Sequence, residues 1–158
     1  MPPRRPRAAK RLKDELRSIY EFEKKNVLSM WVAMVPLSEI PDEYFQQQED
    51  ENENAFTPFS RDFGFGAYGL DSLETNIVGE RIKTFDQLVG QLSFSKSFVD
   101  QAVAAAQKQG LENTQGVFVL YEIDYRPKMA GASTSPYMTF LGSFKYDPEA
   151  DSVLPFAT

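Results

Sequence analysis

A chain of 158 residues, 42% of them hydrophobic and 13% aromatic, has the size and apolarity for one packed core and is too apolar to stay disordered. It contains no Cys and no His, which excludes disulfides, thiol catalysis, zinc–thiolate sites, imidazole ligands and a proton shuttle near neutral pH. The net charge of −6 is unevenly spread: residues 1–25 carry nine Lys or Arg against four acids, and the rest of the chain eight against nineteen. The pattern is a basic arm on an acidic body, and such a body disfavours nucleic acid and favours a basic protein as partner. No apolar run has the length of a membrane span or of a secretory leader, so cytoplasmic residence is expected.

In chain order, Leu12, Leu16, Ile19 and Tyr20 recur at helical spacing and predict a helix over Ala8–Lys25. Val27–Val35 is apolar on both strand faces, the pattern of a central covered strand, and Pro36 ends it. Ser38 opens a predicted short helix through Gln47, with Ile40, Tyr44 and Phe45 facing inward. Gln48–Asn54 has no apolar residue and reads as an exposed acidic loop. Phe56, Phe59 and Phe63 lie near helical spacing, Gly64, Gly66 and Gly69 mark a turn, and Leu73, Thr75 and Ile77 alternate as a strand. Thr84 with Gln87 is a capping-box signature for a short helix. Ser97 with Asp100 repeats it before a longer helix that buries Phe98, Val99, Ala102, Val103 and Ala106 and ends at Gly110.

Two strands close the pattern. Val117, Val119, Tyr121, Ile123 and Tyr125 are expected to share one face of Gly116–Tyr125, and Met138, Phe140, Phe144 and Tyr146 one face of Tyr137–Tyr146. These strands are expected to pair across the Arg126–Pro136 loop. The fold expected is a single α+β domain: a mostly antiparallel sheet of about four strands, covered by helices on at least one face. Its expected bounds are a basic helical extension over 1–26, the domain over 27–147 and a tail over 148–158.

Few motifs carry chemistry. Gly64-Phe65-Gly66-Ala67-Tyr68-Gly69 matches the dinucleotide pattern G-x-G-x-x-G, but it leads into a strand instead of a helix and reads as a plain turn. Glu49, Asp50, Glu51 and Glu53 lack the glycine and terminal glutamate of a calcium loop. They form a solvated loop or a docking patch for a basic partner. Asp62 and Asp71 could work as an acid–base pair only if the fold brought them together, so no catalytic residue, metal or cofactor is assigned. Trp31 is expected in the core. Tyr68, next to Gly66 and Gly69, is expected to be exposed and to anchor an interface. The basic arm, with Arg4, Arg5, Arg7, Lys10 and Arg11, has nucleic-acid character but no interleaved aromatics for base stacking.

Six stretches in order share a family pattern: L-S-M-W-V-A (Leu28–Ala33), I-P-D-E-Y-F (Ile40–Phe45), F-S-R-D-F-G (Phe59–Gly64), L-S-F-S-K-S-F (Leu92–Phe98), V-F-V-L-Y-E-I-D-Y (Val117–Tyr125) and F-L-G-S-F-K-Y (Phe140–Tyr146). Together, from Val27 to Tyr146, they resemble the bacterial immunity protein 22 family of polymorphic toxin systems. Residues 1–26 lie outside the resemblance, and Arg126–Pro136 is longer than its pattern. The resemblance implies a non-enzymatic antidote, encoded beside a toxin, that binds the toxin domain and blocks it. By class the toxin is expected to be a nuclease acting in the cytoplasm, with a basic cleft that an acidic protein can fill. The expected toxin-facing residues are Glu49, Asp50, Glu51, Glu53, Asp62, Asp71 and Glu74 for charge complementarity, and Tyr68 as anchor. The alternative is a regulator that binds nucleic acid through the basic arm. Oligomeric state stays open.

Overall fold

The structure is a computed structural model and describes residues 16–69, 73–77 and 84–154. Its centre is β1 (Glu23–Ala33), flanked by β5 (Gly116–Ile123) and β6 (Met138–Lys145), with β4 (Leu73–Ile77) outside β5. The four strands run antiparallel in the order β4-β5-β1-β6. The expected β5–β6 pair is therefore not formed, because β1 lies between them. The apolar double face of β1 explains this: a strand buried on both sides gains most where both of its edges are also paired.

Trp31 and Ala33 point to one layer and Leu28, Met30 and Val32 to the other. The first layer is closed by α1 (Pro58–Asp62), by the 3-10 turns at Ile19–Phe22 and Asp42–Phe45, and by Phe63 and Phe65. The second is closed by α2 (Phe85–Gly90) and α3 (Val99–Gln109). Helical elements thus cover both faces of the sheet.

Two bulges overturn the expected strand faces. Val117, Val119 and Tyr121 face the second layer, but Ile123 and Tyr125 join Phe118 and Leu120 in the first. The switch comes where the β1–β5 register jumps from Leu28 opposite Tyr121 to Glu23 opposite Ile123. There Asn26 and Glu122 take left-handed conformations, at φ 60° and 64°, and an alternation of period two is reset. On β6, Trp31 opposes Phe140 and Met30 opposes Gly142, so Leu141 is an extra residue. Met138 and Phe140 consequently share the first layer, while Phe144 and Tyr146 pack in the second.

The helix expected over Ala8–Lys25 is corrected where it is described: Ser18 caps one 3-10 turn, Ile19–Phe22, and Glu23 opens β1. Residues 8–15 lie outside the described residues. The Ser38–Gln47 helix is replaced by two 3-10 turns, Leu37–Glu39 and Asp42–Phe45. Pro41 stands between them, and a proline holds the residue before it out of the α region. Thr84 and Gln87 do form a capping box. Ser97 does not: its hydroxyl donates to the Phe94 carbonyl and accepts from the Asp147 amide, and Phe98 occupies the N-cap of α3. The C-terminal segment to Leu154 is bound to this layer through Ser152 Oγ to Leu92 O, Val153 N to Ser95 Oγ and Leu154 N to Gly90 O.

Burial pushes the phenols of Tyr44, Tyr68, Tyr121, Tyr125 and Tyr146 above their ordinary value. A phenol raised in the folded state adds stability that is whole below the unfolded value near 10 and is lost as pH rises towards the folded one. The domain is therefore expected to unfold cooperatively above about pH 10. Phenolate absorbance should then appear together with the loss of far-ultraviolet dichroism. Phenolate absorbance that rises fully while the dichroism stays native would contradict the buried placement.

Candidate functional site

The acidic segment forms a hairpin, with β2 (Gln48–Glu49) paired to β3 (Ala55–Phe56) through Gln48 opposite Phe56 and Glu49 opposite Ala55. Asp50 folds its turn: its carboxylate accepts the amides of Asn52 at 2.8 Å and Asn54 at 2.9 Å, and Glu53 closes the loop in a left-handed conformation. Asp and Asn stabilise turns in this way. The Asn54 amide first, with that of Asn52, holds the Asp50 carboxyl below its ordinary value. Asp50 thus organises the turn, while Glu49, Glu51 and Glu53 are exposed and point three carboxylates outward.

The hairpin leads directly into α1. Thr57 caps that helix by accepting the Ser60 amide at 2.9 Å, and Pro58 fills the first turn, where its missing N–H costs nothing. The Arg61 guanidinium lies 3.8 Å over the buried Phe56 ring. At the end of α1, Asp62 is exposed and accepts the Tyr44 hydroxyl at 2.9 Å, and the same hydroxyl lies 2.7 Å from Ser135 Oγ. Asp42 and Glu43 are exposed on the turn that supplies Tyr44. The fold therefore presents Glu49, Glu51, Glu53, Asp62, Asp42 and Glu43 on adjoining elements. The last two were not among the sequence candidates. Their signal was the D-E pair of Ile40–Phe45, absorbed there into an expected helix.

The remaining candidates sit differently. Tyr68 is less exposed than its glycine neighbours suggest. Gly64, at φ 85°, and Gly66 fold the chain back against Arg17, whose amide donates to Gly64 O and whose carbonyl accepts from Gly66 N, both at 3.0 Å. Tyr68 is thereby laid half-buried against Phe59, Phe65 and Phe118, with its hydroxyl accepting from Thr57 Oγ1. The glycine motif is thus a loop paired to Arg17, and no helix begins within it. Glu74 is half-buried on β4, where it accepts the Ser93 amide at 2.9 Å, the Ser93 hydroxyl at 3.0 Å and the Tyr121 hydroxyl. Its carboxylate tethers β4 and β5 to the segment between α2 and α3. Asp71 lies outside the described residues, and with it the Asp62–Asp71 pair. Among the described residues no cluster of acids could hold a metal ion, and no helix is long and apolar enough to cross a membrane.

The family model described as immunity protein 22 matches residues 28–147. That span runs from within β1 to two residues past β6 and takes in the hairpin, α1, α2, α3, β4, β5, β6 and β1 from Leu28 onward. The chain belongs to the immunity protein 22 family. The basic arm precedes the family match, and the acidic hairpin, α1 and the Tyr44 turn all fall within it. Comparison with curated proteins and with solved structures found no match.

Proposed function

We propose that this chain is the antidote of a bacterial polymorphic toxin system, binding a cognate toxin domain in the cytoplasm and neutralising it by occlusion. The observation that carries the reading is the family match over residues 28–147, most of the sheet and the helices on both of its faces. The acidic body supports a basic toxin, and a nuclease suits it, since a cleft built to hold phosphates also attracts carboxylates. Glu49, Glu51, Glu53 and Asp62 supply charge complementarity and association rate, and the half-exposed edge of Tyr68 a local anchor. Asp50 holds the loop in shape, Glu74 acts through the frame it ties together, and Asp71 adds a negative charge to the acidic body.

Co-expression with the product of the adjacent gene tests the function. Rescue of growth and a complex that co-purifies are expected; a harmless neighbour, or rescue without a complex, would refute it. The hairpin has its own test. The triple variant Glu49→Gln, Glu51→Gln, Glu53→Gln is expected to slow association with the toxin about tenfold at low salt. That difference should fade at 1 M salt, where charges are screened beyond about 3 Å. Equal association rates at low salt would remove the hairpin from the interface.

A further inference from the structure

On the other side of the sheet from the hairpin, the first turn of α2, one face of α3 from Val99 to Gln107, the loop before β5 and the segment at Val153 and Leu154 line an open groove of about 1100 Å³. Three observations describe its chemistry. Its charged side chains among the described residues are Asp86, Asp100 and Glu112, all acidic. Val103 and Ala104 line it together with Val153 and Leu154, two of the exposed large apolar residues of the protein. Two acceptors in its wall, Glu112 Oε1 and Gln115 Oε1, are buried without a hydrogen-bond partner. Buried polar atoms normally find partners, and both side chains are only partly buried and line the groove, so a small shift of either would bring its acceptor to a donor there.

We propose that this groove is a docking surface for the cognate toxin, taking a basic segment that brings Lys or Arg donors to Glu112 and Gln115 and lays apolar groups on Val103, Ala104 and Leu154. Lys and Arg fit such a place, because each has an apolar stem behind a head made only of donors. The rim is held in advance: Val153 N donates to Ser95 Oγ at 2.8 Å and Leu154 N to Gly90 O at 2.8 Å, so little ordering is left for binding to supply. The hairpin and the groove act differently. Exposed carboxylates on one side speed encounter, and a groove with apolar walls slows release on the other.

The inference rests on the antidote reading, and one experiment separates the two. The full chain is titrated against the purified toxin domain from the adjacent gene, beside the variants Ala104→Arg and Glu112→Gln. Ala104 is exposed on α3, so an arginine there fills the groove without entering the core. Ala104→Arg is expected to weaken binding at least about tenfold, mainly through faster dissociation, and Glu112→Gln about fivefold. Thermal melts matching the unsubstituted chain certify the fold, and if Ala104→Arg melts early, Glu112→Gln decides alone. Variants that bind and release as the unsubstituted chain does would overturn the groove and leave the antidote reading standing. A chain that neither binds nor protects would overturn both.

Discussion

Replacing Trp31 with Ala is expected to cost about 3–5 kcal/mol of folding stability. Trp31 is fully buried, with the rings of Phe59 and Phe140 at 5.1 Å, Tyr125 at 5.3 Å, Phe63 at 5.8 Å, Phe118 at 6.0 Å and Phe65 at 6.2 Å. These rings come from α1, the glycine loop, β5 and β6, whose backbones are tied elsewhere, so the space left by an indole cannot close by moving one element. Aromatic pairs also add about 0.5–1.5 kcal/mol beyond the area they bury. The loss would be a large share of the 5–15 kcal/mol that holds a domain folded. Trp31→Phe should cost much less, about 1–2 kcal/mol. Trp31 Nε1 is buried without an acceptor, so the phenyl ring removes an unmatched donor together with the volume. Urea unfolding followed by far-ultraviolet dichroism reads both variants. A cost below about 1.5 kcal/mol for Trp31→Ala would show that the first layer does not depend on its central ring.

The same layer connects stability to the acidic hairpin and α1. Phe59 of α1 packs on Trp31 at 5.1 Å and on Phe118 at 4.3 Å, and α1 carries Asp62 and follows the hairpin in sequence. A loosened Trp31 cluster would therefore release the elements that present Glu49, Glu51, Glu53 and Asp62. Exposed carboxylates gain little from one another, so their arrangement must be imposed from beneath.

How much of this could be read from the amino acids depends on the range of the interaction involved. The α+β class, β1 and β4, the short capped helix after Thr84 and the long one ended by Gly110 follow from local periodicity and caps, which act within a few residues. The neighbour of β5 does not, because chain proximity to β6 competed with the apolar double face of β1, and the second prevailed. The bulges were hidden for a related reason. Asn26 and Glu122 take positive φ without being glycine, and the partners that stabilise them, such as the Tyr146 hydroxyl on Glu122 Oε2, come from distant sequence. In the site, Asp50-Glu51-Asn52-Glu53-Asn54 already carries turn chemistry in its residue types, and Asp50 could have been separated from its exposed neighbours on that ground. Glu74 could not. Nothing near it in the chain announces that Ser93 and Tyr121 will take its carboxylate.

Ser29→Ala tests the larger of those hidden features and is expected to destabilise the domain by about 1–3 kcal/mol. Ser29 is a fully buried polar residue in the middle of β1, at the point where β5 leaves regular pairing. Its hydroxyl donates to the Ile123 carbonyl at 2.7 Å and accepts the Tyr125 amide at 2.8 Å, with Ser143 Oγ at 3.3 Å. One hydroxyl thereby stands in for a rung that the bulge at Glu122 removes. Alanine would leave a buried carbonyl and a buried amide without partners, and that desolvation, more than the lost bonds themselves, sets the cost. The damage should be local and then spread. Tyr125 carries its own hydroxyl to within 2.6 Å of the Phe63 and Ala132 carbonyls, so a shift at Ser29 reaches the loop behind α1. Amide exchange gives the residue-level readout: the Tyr125 N–H is protected in the unsubstituted chain and should exchange many times faster in Ser29→Ala. An unchanged exchange rate at Tyr125, with a loss under about 0.5 kcal/mol, would mean that the bulge is held by its backbone and not by this hydroxyl.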